Sequence, residues 1–141
     1  MNYSKSVVYV ADDDADDRYF IREAIQGVDP SVTIVEAKDG ADLLALLHSR
    51  TKEPTPQSVN LILLDMNMPK MNGLEALVAI KADPALRHIP TVMISTCIHP
   101  GQVAAAYQYG INSYIQKPTS SFDLGQVAHA LKVCFLDAVV G

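Results

Sequence analysis

Short apolar runs and stretches of helical period alternate along this chain. VVYVA at 7–11, VTIVEA at 32–37, NLILLD at 60–65, TVMIS at 91–95 and SYIQ at 113–116 are rich in β-branched or aromatic residues. Runs of that length and make-up read as strands buried on both faces. Between them Ile21, Ala24, Ile25 and Val28, then Leu43, Leu44 and Leu47, then Leu74, Leu77 and Val78, recur at the spacing of one helix face. Leu124, Val127, Ala128, Leu131 and Cys134 continue the same period as the stripe of a last helix. Asp39 stands where the second helix needs an N-cap, and Ser120 or Ser121 where the last one does. Asp83-Pro84 and Gly110 are stops. The polar, proline-bearing stretch 49–58 reads as a surface loop. Five alternations predict an α/β protein: a doubly wound parallel sheet of five strands, right-handed crossovers, and helices on both faces. No internal repeat or linker divides the sequence, so residues 1–141 are expected to form a single domain, with its core between about residues 6 and 137.

Composition removes several classes of function. A net charge of −5 argues against a nucleic-acid binder, because phosphate backbones call for clustered Lys and Arg. No apolar stretch approaches the roughly 20 residues of a membrane span, and the N-terminal apolar run is too short for a signal peptide. Cys97 and Cys134 form no CxxC pair, and two reduced thiols in a cytoplasmic protein are the expectation.

In such a sheet a ligand site lies outside the carboxyl ends of the strands. Four strand ends deliver polar residues that packing does not require: Asp12 and Asp13, Asp65, Ser95 with Thr96, and Lys117. Three carboxylates, a hydroxyl and an ammonium on one edge make a site where each alone would be an ordinary surface residue. The stretch ADDDADD at 11–17 then divides. Asp14, Asp16 and Asp17 fall at the start of the first helix, where carboxylates take unpaired N–H groups and favour the dipole. Asp12 and Asp13 precede that turn, and a hard divalent cation such as magnesium accounts for them. Asp12, Asp14, Asp16 and Glu23 mimic the spacing of a calcium-binding EF-hand loop, but the sixth position is Asp17 instead of glycine and a strand precedes it.

VADDD at 10–14, LILLDMNMPKMNG at 61–73, IPTVMIST at 89–96 and YIQKP at 114–118, in this order and spacing, resemble the receiver domain of two-component response regulators. The likeness is to the stand-alone, chemotaxis-regulator type, without a separate output domain. It implies the flavodoxin-like strand order 2-1-3-4-5. It also implies that Asp65 is the phosphoacceptor, and that Mg²⁺ is held by Asp12, Asp13, Asp65 and the backbone carbonyl of Asn67. Lys117 pairs with the Asp65 carboxylate and then with the phosphoryl group, while Ser95 donates its hydroxyl to another phosphoryl oxygen. Pro118 follows a cis peptide that aims Lys117 inward, and Tyr114 is the aromatic that turns inward as the Ser95 region moves. Ser95 stands where threonine is more frequent, and Thr96 is larger than the usual neighbour, which bears on the lifetime of the phosphorylated state. The implied donor is a sensor histidine kinase or a histidine phosphotransfer protein. The chain would catalyse its own phosphorylation and slow dephosphorylation, without turning over an external substrate. A flavin-binding module would want a Ser/Thr/Gly-rich phosphate loop where this chain has aspartates, and a phosphatase of D-x-D type would want an acid at Asn67. A receiver that is never phosphorylated is disfavoured because the matching residues are all present. Val133, Phe135, Leu136, Val139 and Val140 add apolar residues beyond the last stripe. Either they fold back over the domain as a tail, or, since the resemblance implies a partner face made by the fourth helix, fifth strand and fifth helix where Tyr114 lies, Phe135 and Leu136 are near the centre of a homodimer or partner surface.

Overall fold

In the three central strands of the computed structural model every side chain is buried, because helices cover both faces. The structure describes residues 6–96 and 98–137. Strands β1 (Val7–Ala11), β2 (Thr33–Ala37), β3 (Leu61–Leu64), β4 (Thr91–Ser95) and β5 (Ser113–Gln116) are all parallel, in the order β2-β1-β3-β4-β5. Helices α1 (Ala15–Val28), α2 (Gly40–Thr51), α3 (Gly73–Ala82), α4 (Pro100–Gln108) and α5 (Ser121–Leu131) connect and follow them. This is the doubly wound, flavodoxin-like arrangement that the alternation and the resemblance predict.

The period of two along each strand sorts the core into halves. Val7, Tyr9, Ala11, Ile62 and Leu64 face Leu43, Leu47, Leu77 and Ile80 of α2 and α3. Val8, Val10, Leu61, Leu63, Val92 and Ile94 face Ile21 and Ile25 of α1 and Ala128 and Leu131 of α5. Truncating one of the wholly buried leucines to alanine costs about 2–5 kcal/mol by this kind of packing. The edge strands depart from the expected two-sided burial. Thr33 of β2 and Gln116 of β5 are exposed, and most of their strand neighbours are only half-buried, since each edge strand has a single neighbour.

Local chemistry fixes the helix starts. Asp14 accepts from the N–H groups of Asp16 and Asp17, Asp39 from Asp42, and Ser120 from Asp123. Asn72 and Glu75 form a reciprocal capping box at α3. At the other end of the chain the last helix does not keep its period. Lys132–Leu136 form a π turn, closed by a 2.8 Å bond from Asp137 N–H to the Lys132 carbonyl. The extra residue in that turn shifts the side chains of its last residues around the helix axis. Cys134, expected on the buried stripe, is exposed, whereas Phe135 and Leu136 pack against the α1/α5 half of the core. Of the two expectations for these residues, their packing matches the fold-back over the domain, with both side chains half-buried against it. Val139, Val140 and Cys97 lie outside the described residues.

Candidate functional site

Ala11 and Leu64 are register partners, so the residues after them leave the sheet side by side. Those residues are Asp12 and Asp65, 1% and 6% exposed, with the exposed Asp13 next in line. One carboxylate oxygen from each of the three lies within 4.8 Å of the others. Such crowding disfavours ionisation unless a cation is near.

Lys117, just past β5, supplies one. Its ammonium donates to Asp12 Oδ2 at 2.7 Å and to Asp17 Oδ2 at 2.8 Å, and stands 3.9 Å from Asp65 Oδ2. Burial pulls that ammonium down, but the hydrogen bonds to Asp12 and Asp17 and the charges of Asp12 and Asp65 outweigh it and raise its pKa. The pairing with Asp65 that the resemblance implies is present as this 3.9 Å ion pair, while the hydrogen bonds go to Asp12 and Asp17. A desolvated ammonium takes the acceptors that bring it two charge-assisted bonds, and Asp65 is left beyond hydrogen-bond reach. The Lys117–Pro118 peptide is trans, since no cis bond occurs among the described residues. Proline only narrows the preference for trans, and the long lysine side chain reaches the edge from this isomer.

Asp65 is the perturbed carboxyl of the site. Burial, then the neighbouring Asp12 charge, push its pKa up to about 6 against the opposing pull of Lys117 and of a hydrogen bond from the Asn67 N–H, with Asp13 adding a further rise. The Asn67 backbone, expected to offer its carbonyl, thus also donates to Asp65. Ser95 closes β4, fully buried, and its carbonyl accepts the Lys117 N–H at 2.8 Å, while Thr96 beyond it is exposed. Tyr114 is half-buried against the α2/α3 half of the core, and its N–H donates to the Tyr107 hydroxyl at 3.2 Å.

Two residues outside the expected set also reach this edge. Asp17, expected only at the helix terminus, holds the lysine. Arg18 is the residue that sequence reasoning misses: its Nη1 donates to the Asp12 carbonyl at 2.6 Å while Nε meets Glu36 Oε1 at 3.1 Å. An arginine one turn into the helix after an acidic cluster is the available signal. The all-oxygen donor set of Asp12, Asp13 and Asp65 fits a hard divalent cation, because three carboxylates this close need more charge than one ammonium provides.

The family model described as the response regulator receiver domain matches residues 8–129. The chain belongs to this family. Response regulator Rcp1 of Synechocystis sp. is 30% identical over 138 residues, spanning 98% of this chain and 93% of Rcp1. Two solved structures extend the likeness to three dimensions. The phosphorylated cyanobacterial phytochrome response regulator RcpA superposes with a TM-score of 0.86 at 29% identity, over 96% of this chain and 97% of that one. The Mn²⁺-bound form of Rcp1 gives 0.81 at 29% identity, with the same coverage. Two-component signalling is the setting of this receiver domain. None of its helices, among the described residues, is long and apolar enough to cross a membrane.

Proposed function

We propose that this receiver domain takes a phosphoryl group onto Asp65 from a phosphohistidine of a sensor kinase or phosphotransfer protein, with Mg²⁺ bound. One observation carries the reading: Asp65 meets Asp12 and Asp13 in a single oxygen cluster, with the Lys117 ammonium 3.9 Å away. An Asp65 oxygen attacks phosphorus, the P–N bond to the imidazole breaks, and an aspartyl phosphate forms. With its pKa near 6, Asp65 is mostly the carboxylate nucleophile at neutral pH even before a cation arrives. Lys117 turns from Asp12 and Asp17 toward the transferred group and offsets its charge, and Ser95 donates to a second oxygen. Asp12, Asp13, Asp65 and the Asn67 carbonyl would hold Mg²⁺, which supplies charge neutralisation of the transferring oxygens. Tyr114 follows the Ser95 region inward and changes the surface beside β5.

A cleft of about 530 Å³ between α1 and the start of α5 supports the approach of a protein donor. Phe20, Pro118 and Leu124 line it next to Asp17 and Lys117, so apolar contact area adjoins the acidic edge. Incubation with a small-molecule phosphodonor and Mg²⁺, followed by intact-mass measurement, tests the assignment. The wild type gains one base-labile phosphoryl group and Asp65→Asn gains none; equal incorporation in the two would remove Asp65 from the role.

A further inference from the structure

Two arginines of α1 and one glutamate of β2 form a clamp that ends on the peptide joining Asp12 to Asp13. Glu36 is the register partner of Val10, close to the end of β1. Its carboxylate takes Arg18 Nε on one oxygen at 3.1 Å and Arg22 Nη1 on the other at 2.7 Å. Thus held, the Arg18 guanidinium has a fixed fork, and its Nη1 lies 2.6 Å from the Asp12 carbonyl oxygen. The Arg18 side chain is 17% exposed, so this charge-assisted bond is shielded from most of the solvent.

We infer that Arg18 is a positioning residue for the divalent-cation site: aimed by Glu36, it fixes the Asp12–Asp13 peptide plane and so the direction in which Asp13 presents its carboxylate. The inference rests on the reading of Asp12, Asp13 and Asp65 as the metal-holding set. The Asp12 carbonyl and the Asp13 N–H share one rigid plane, so holding the oxygen also places the Asp13 Cα. Asp12 itself has other anchors, since its two carboxylate oxygens take the Asp14 N–H at 2.9 Å and Lys117 at 2.7 Å. The Asp13 carboxylate accepts no hydrogen bond from any described residue, and only the backbone orients it. Lysine cannot replace the arginine, because one ammonium on a flexible stem cannot span Glu36 and the carbonyl with the same preorganisation.

Electrostatics and positioning predict opposite signs, which makes the inference testable. A positive charge near three carboxylates weakens cation binding, so removing it for charge reasons alone would tighten Mg²⁺. Loss of positioning weakens it. Arg22 is the matched control: it carries the same charge and touches the same Glu36, but has no bond to Asp12.

Isothermal titration of the full chain with Mg²⁺, with folding checked by circular dichroism, compares wild type, Arg18→Gln, Arg18→Lys and Arg22→Gln. Arg18→Gln is expected to weaken Mg²⁺ about tenfold, the scale typical of groups that orient metal ligands. Arg18→Lys weakens it too although the charge is kept, and Arg22→Gln leaves it unchanged or tighter. Unchanged or tighter binding in Arg18→Gln, or equal weakening in Arg22→Gln, overturns the inference. If Arg18→Gln does not fold, Arg18→Lys decides in its place, since it keeps the charge and loses the fork: a weaker Mg²⁺ affinity supports the clamp, and an unchanged one overturns it. Failure of the underlying reading looks different, because then the wild type takes up no Mg²⁺ or Asp13→Ala binds it as well as wild type does, and the inference falls with it.

Discussion

Lys70 adopts φ 66° between Pro69 and Met71, and the Met71 N–H reaches back to the Pro69 carbonyl at 2.7 Å. A three-residue turn with a left-handed centre is strained for any side chain branching from Cβ, and least so for asparagine or glycine. Lys70 is exposed, so exchanging it removes no packing. Lys70→Asn is expected to stabilise the domain by about 0.5–1 kcal/mol, raising the urea midpoint at constant slope, whereas Lys70→Ile lowers it. Asp65 carries a strain of another kind. Its carboxyl titrates near 6 in the metal-free fold, above its unfolded value of 3.8, so the folded state binds more protons between those limits. Stability from this group is present below the unfolded value and is lost as pH rises through about 6. In EDTA, Asp65→Asn is therefore more stable than wild type at pH 7–8 by up to about 3 kcal/mol, and the gap closes toward pH 4. A gap independent of pH, read from denaturant curves, would contradict the buried, charge-crowded environment that raises this carboxyl.

Helix α3 is seated by its first residue. A Cβ on Gly73 would lie 2.3 Å from the Asp65 carbonyl oxygen and 2.9 Å from the Met66 Cα, and both are backbone that cannot move aside. Gly73→Ala is expected to cost about 3 kcal/mol or more, and to displace the end of β3 enough to suppress phosphorylation. Thermal unfolding and the mass assay read the two effects separately. Elements of this sort differ in how far their sequence announces them. The strands are legible nearly residue by residue, because burial on both faces demands apolar runs, and the caps Asp39 and Ser120 because their chemistry is local. Helix α4 gives no periodic signal: Ala106 is its one buried residue, and His99 caps it with no side-chain bond. The π turn is hidden because nothing in KVCFL distinguishes a five-residue closure from the 3.6 period that runs into it. The residue types of the site can be read, since they sit at strand ends. Their pairing cannot, because the bonds of Lys117 to Asp12 and Asp17 join distant parts of the chain, separated by 105 and 100 positions, and depend on where a long side chain settles.

On the scale of the whole molecule, a cation that binds only the folded chain stabilises all of it. With Mg²⁺ held as proposed, free Mg²⁺ at about 100 times its dissociation constant is expected to add about 2.7 kcal/mol, and the unfolding temperature to climb with its concentration. In Asp13→Ala that rise is expected to shrink to the level of a sodium chloride control of equal ionic strength; an undiminished rise would mean general screening instead of a site. The strand order has a consequence of another kind, in the making of the protein. β1 sits between β2 and β3, so its second partner begins only at Leu61. At about 5–20 residues per second of synthesis, a wholly apolar strand waits about 3–10 s for that neighbour. Lys117 emerges later still. During those seconds the nascent chain carries Asp12, Asp13 and Asp65 without the ammonium that will join Asp12 and face Asp65, so the acidic half of the site is made before the protein's own charge arrives.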